Sequence, residues 1–145
     1  MRGGEKFQQA LKDISGKLTD AKLKVGFLEG STYPDGTPVP LVAAVQNFGS
    51  SSRGIPPRPF FSNMIREKKT GWAPAIAKNL KANDYDVKKT LNQAGEAIAG
   101  QLRQSIVDTN APPLKPATIA RKGFEKPLVD TGHMLNSVDY EVDAK

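Results

Sequence analysis

The residues best suited to chemistry lie near the C-terminus, where Leu128 and Val129 precede Asp130, Thr131 and Gly132. An apolar pair before Asp-Thr-Gly is how an aspartic protease presents its catalytic carboxylate. That chemistry needs two carboxylates about 3 Å apart sharing one proton, hence a second Asp-Thr/Ser-Gly or a second chain. No second copy occurs, and the 13 residues after Gly132 are too few for the strands that must follow such a catalytic loop. A structural role explains the same residues: Asp130 or Thr131 caps a short apolar turn, His133 to Leu135, and Gly132 supplies an unusual dihedral.

Other chemistry is missing as well. His133 is the only histidine and there is no cysteine, so no thiolate or second imidazole can share a metal with it. The carboxylates are scattered, Ser105 and Ser137 lack a nucleophile elbow, and Gly26 and Gly30 do not complete a phosphate-binding fingerprint. No catalytic, cofactor-binding or metal-binding residue is assigned, and the chain is read as a non-enzyme without cofactor.

At 145 residues, 38% of them hydrophobic, the chain is expected to form a single domain over 1–145 with a modest core. The absence of cysteine fits a reducing compartment. No apolar run approaches the roughly 18 residues of a membrane span, and the N-terminus lacks the apolar core of a signal peptide. The net charge is +6, and it is local. Arg53, Arg58, Arg66, Lys68, Lys69, Lys78 and Lys81 face only Glu67 in their stretch, while the rest of the chain carries 14 charges of each sign. Such a patch suits phosphate, an acidic partner or water. No motif for sequence-specific DNA reading is present.

Several elements are needed to carry these groups. Phe7, Ala10, Leu11, Ile14 and Leu18 recur at helical spacing and predict a helix over 5–17. Leu23, Val25 and Phe27 alternate with Lys22, Lys24 and Gly26, the period of a strand with one buried face. Residues 29–40 form a long Gly/Pro/Asp-rich loop. Pro40 then opens a short helix whose apolar face, Leu41, Val42, Val45 and Phe48, is expected to be buried, with Gly49 closing it. A second loop, 49–59, holds three prolines and cannot be a helix or a central strand.

Beyond it, 60–69 and 72–82 read as two helical pieces broken near Thr70, Gly71 and Pro74. A long helix follows to about Val107, capped by Asn83 or Asp84 and carrying the stripe Val87, Leu91, Ala94, Ile98, Leu102 and Ile106. Gly95 and Gly100 cost that helix about 1 kcal/mol each, which close packing would offset. A short helical piece is expected over 116–121, and Val138, Tyr140 and Val142 alternate as a last strand. Two strands alone are marginal in water, so the shortage hints at strands from the loop or from a neighbouring chain.

Two segments carry a resemblance. VAAVQNFGSSSRGIPPRPFF, residues 42–61, is similar to the stretch of bacteriophage tail-completion, or head-tail joining, proteins in which an apolar helix ends in Asn/Glu-Phe-Gly and leads into Ile-Pro-x-Arg-Pro-Phe. Residues 113–142, with Leu-x-Pro-x-Thr-Ile-x-Arg-Lys-Gly, Lys-Pro-Leu-Val-Asp-Thr-Gly and Met-Leu-Asn-Ser-Val, resemble the end of the same family.

The resemblance implies an α+β fold, a small antiparallel β-sheet packed against a long α-helix with short extra helices and long loops. It implies a structural virion protein without catalysis that forms a homo-oligomeric ring, commonly a hexamer, at the head-proximal end of the tail. Tail tube or tail terminator and head connector proteins are the implied partners, and double-stranded DNA passes through the lumen. The implied location is the neck of a virion assembled in the host cytoplasm. Carried onto this chain, Arg53, Ile55, Arg58, Phe60 and Phe61 become candidate intersubunit or neck contacts. Arg66, Lys68, Lys69, Lys78 and Lys81 are candidates for the DNA lumen or an interface, where weak sequence-independent electrostatics suffice. The alternative is a basic module outside a virion that binds nucleic acid or an acidic partner.

Overall fold

A computed structural model describes residues 20–109 and 131–144. The helix predicted over 5–17, the helical piece over 116–121 and Asp130 lie outside the described residues. Along the chain run β1 (Lys22–Phe27), α1 (Val39–Phe48), a 3-10 turn (Ser51–Arg53), α2 (Phe60–Ala82), α3 (Val87–Thr109), α4 (Thr131–Asn136) and β2 (Val138–Asp143). The fold is α+β, with the two strands pairing antiparallel and lying on the long helix α3.

Both strands fall where the alternation placed them. Leu23 stands opposite Val142, Val25 opposite Tyr140 and Phe27 opposite Val138, so the apolar residues share the helix-facing side. Lys22 and Lys24, on the outer side, stand opposite Asp143 and Glu141. Gly95 of α3 is where helix and sheet meet most closely. A Cβ there would overlap the Tyr140 ring, so only glycine lets the aromatic lie on the helix backbone. Among the described residues Gly100 has no such neighbour, and a Cβ there would meet nothing within 4 Å.

The break expected near Gly71 and Pro74 does not occur. Helix α2 runs through both residues, although a helix-interior proline costs about 3 kcal/mol. Packing along α3 compensates: Met64 is buried, and Trp72 is tied down by a hydrogen bond from its Nε1 to Gln101 Oε1 of 2.7 Å. The start of α3 also lies later than Asn83 or Asp84. Asp84 and Tyr85 take left-handed dihedrals, φ 52° and 63°, and turn the chain first. Asp86 then caps α3, accepting from Lys89 N–H at 3.0 Å. Asn83 still contributes, donating to Thr90 Oγ1 and Gln93 Oε1.

The main core joins α1, the start of α2, the second half of α3, Met134 of α4 and Val138 of β2. Each of Phe60, Leu102 and Ile106, wholly buried, contributes about 1.5–3 kcal/mol by leaving water. Loop 29–40 belongs to this core through Tyr33, because Pro34, Asp35 and Gly36 turn the chain and Thr32 bridges Pro38. It adds no strand to the sheet among the described residues.

Candidate functional site

The segment of 42–61 folds as one clasp joining the end of α1 to the start of α2. A helix start leaves four backbone N–H groups without intrahelical partners, and Pro59 at the cap of α2 has no side chain able to serve them. Asn47, the penultimate residue of α1, serves two of them across 14 and 15 residues. Its Oδ1 accepts from Phe61 N–H and Ser62 N–H at 3.0 Å each, and its Nδ2 donates to Ser62 Oγ at 2.9 Å. Gln46 accepts at its carbonyl from Arg58 N–H at 2.7 Å, fixing the Arg-Pro-Phe run against the same helix end.

Gly49 makes the geometry possible. Its φ is +74°, and a Cβ there would stand 2.8 Å from both Ile55 O and Pro57 N. No other residue permits both the left-handed turn and that approach. Ser50 and Ile55 exchange two backbone hydrogen bonds of 2.9 Å, and Gly54, at φ 66°, closes the intervening turn. The polar loop 49–59 is therefore a pinned hairpin-like turn.

The clasp sorts the candidate contacts. Ile55 is 4% exposed and Phe60 fully buried, so both hold the chain's own core and neither can serve as a contact for another subunit. Phe61 is half-buried, 6.4 Å from Phe27 and 6.3 Å from Phe60 between ring centroids. Arg58 is half-buried and Arg53 exposed.

The residues that sequence reasoning missed are Asn47 and Phe48. The buried face of α1 is Val39, Val42, Ala43, Gln46 and Asn47, not the face that includes Leu41 and Phe48. Those two are exposed instead, Phe48 at 75%. The i, i+3, i+4, i+7, i+8 spacing from Val39 was the available signal, hidden because its last two positions, Gln46 and Asn47, are polar. Phe48 rims a surface groove of about 490 Å³ with Phe27, Pro40, Ala44, Phe61 and Ile65. A second apolar groove of about 330 Å³, sharing Phe61 and Ile65, continues beside Leu23 and Val25 of β1 to Trp72 and Ile76.

The basic candidates all lie on α2 and are exposed: Arg66, Lys68, Lys69, Lys78 and Lys81. They do not form one stripe. At about 100° per residue, Arg66 and Lys68 stand roughly 160° apart around the helix, so nothing in their spacing converges on a single phosphate.

Asp130 lies outside the described residues, and Thr131 and Gly132 begin α4. Gly132 is helical and is not among the glycines of positive φ, which corrects the expectation of an unusual dihedral there. His133 is engaged structurally: its Nε2 lies 2.7 Å from Thr32 O and its ring stacks on Tyr33 at 4.9 Å. A cleft of about 610 Å³ between α2 and α3 is lined by Glu67, Asp108 and Ser105 among others. The Ser105 hydroxyl donates to Phe60 O. Among the described residues no group of three His, Cys, Asp or Glu side chains could hold a metal ion, and no helix is long and apolar enough to cross a membrane. Comparison with protein-family models, curated proteins and solved structures finds no match to this chain.

Proposed function

We propose that this chain is a structural subunit of a tailed-phage virion, forming a ring at the head-proximal end of the tail that surrounds the DNA passage and docks the head connector. The observation that carries the reading is the exposure of Phe48. It stands between Asn47 and Gly49, the two residues that fix the clasp, so a large aromatic is held in water by rigid neighbours beside an apolar groove. Exposed apolar surface of this kind marks contact with another protein. The α+β architecture agrees with the subunit that the resemblance implies. Exposed lysine and arginine on α2 would supply the mild positive charge that a DNA passage or an acidic neighbour tolerates.

The alternative of a basic binding module outside a virion has the same lysines and arginines in its favour, but their spread around α2 gives nucleic acid no single face. The test is the mass of the purified chain alone and with tail tubes or head connectors. The proposal expects a ring with at least one of them, and Phe48→Asp is expected to keep the fold while losing that association. A chain that stays monomeric with both partners, yet retards duplex DNA, would replace this reading with the alternative.

A further inference from the structure

The two edges of the sheet carry opposite charges. On the outer face β1 presents Lys22 and Lys24, while β2 presents Asp139, Glu141 and Asp143, all exposed. Among the described residues the sheet ends at these two strands. A free strand edge is a template for pairing with another chain, and the charges select which edges can meet. Two β1 edges would bring lysines together, and two β2 edges would bring carboxylates together. Like charges directly opposite are unfavourable, whereas opposite charges stabilise a cross-strand pair.

We infer that β1 of one subunit pairs antiparallel with β2 of a second copy, continuing the sheet head to tail. The inference rests on the ring reading and names its interface. Side chains alternate with period two, so any register that sets Lys22 and Lys24 against Glu141 and Asp143 also sets Leu23 and Val25 against apolar residues of the neighbouring β2. Pairing centres on the Glu141 and Asp143 end. At the other end of β2, Arg103 donates to Val138 O at 3.1 Å and Tyr140 N–H donates to Asp139 Oδ1 at 2.8 Å, so those backbone groups are engaged. The apolar groove beside β1, with Val25, Phe61 and Trp72, is then covered by the incoming copy. An interface joining two different edges is heterologous, and such interfaces generate rings when the rotation closes.

Charge reversal with complementation tests this. Lys22→Glu with Lys24→Glu makes both edges acidic, and Glu141→Lys with Asp143→Lys makes both basic. Each variant alone is expected to lose the ring by native mass measurement. An equimolar mixture is expected to regain it, because every junction in an alternating ring is again complementary while the pairs within each chain remain mismatched. Rings formed by either variant alone as readily as by wild type would overturn the inference and leave the ring reading standing. A folded mixture without rings would overturn it equally. A wild-type chain that forms no ring with any partner would instead count against the function itself.

Should the reversals fail to fold, single cysteines answer the question, since the chain has none of its own. Mixed Lys22→Cys and Asp143→Cys chains are expected to form a disulfide-linked heterodimer under oxidation. Linkage confined to like chains would refute the head-to-tail arrangement. No linkage in a wild-type-like ring would mean that another occupant, such as residues 1–19 of the same chain, covers the edge.

Discussion

Replacing Asn47 with alanine should release the start of α2 without touching an apolar contact. Asn47 is 5% exposed, and its Oδ1 is the acceptor for two backbone N–H groups at 3.0 Å. Each lost hydrogen bond is worth about 1 kcal/mol net, and a donor left unsatisfied in a part-buried site costs somewhat more. Ser62 is exposed and water can serve its N–H, so the sum comes to about 2–3 kcal/mol, at the upper end of helix-cap substitutions. For a chain of this size that lowers Tm by about 5–10 °C. Urea unfolding followed by circular dichroism at neutral pH measures it. Asn47→Asp is the control: it keeps the acceptor and adds charge favourable at a helix N-terminus, but loses the bond to Ser62 Oγ and buries that charge. It should recover about half of the loss. A penalty below about 0.5 kcal/mol for alanine, or an aspartate as damaging as alanine, would refute the clasp as the cap of α2.

Three further outcomes follow from the same geometry. Gly95→Ala should destabilise by about 1–3 kcal/mol, since the new methyl meets the Tyr140 ring. Gly100→Ala, one and a half turns on and meeting no described residue within 4 Å, should stabilise by up to about 1 kcal/mol; denaturant midpoints of the two variants should move in opposite directions. The Tyr140 phenol should titrate above its ordinary 10.0, raised by desolvation, then by the Glu96 charge and hydrogen bond and the Asp139 charge. Ultraviolet titration should show Glu96→Gln moving it back toward the free value. Because the fold favours the neutral phenol, this group leaves stability unchanged below pH 10 and lowers it as pH climbs past that value.

What the sequence revealed and what it hid divide along the range of the interactions. Alternation located β1 to the residue and β2 to within one, because period two in Lys22–Phe27 and Val138–Val142 is a local property. The stripe from Val87 to Ile106 likewise located α3. Continuity of α2 through Pro74 was not legible, since the compensating contact, Trp72 with Gln101, comes from 29 residues away. Nor was the beginning of α3. Asn83, Asp84 and Asp86 all suit a cap, and only the left-handed pair Asp84 and Tyr85 decides for Asp86.

The candidate site shows the same division. The Asn-Phe-Gly and Arg-Pro-Phe runs were visible as motifs, but Asn47 reads as an ordinary polar residue until the chain brings Phe61 and Ser62 to it. Assigning contacts by residue type then misplaced Ile55 and Phe60, which the clasp seals into the core, and overlooked Phe48, which it leaves outside.

Imaging of particles assembled without this protein tests the central claim most directly. A head-proximal ring subunit predicts DNA-filled heads without tails beside completed, unattached tails, with joining restored by adding the purified chain. Intact, infectious virions from the same cells would contradict it.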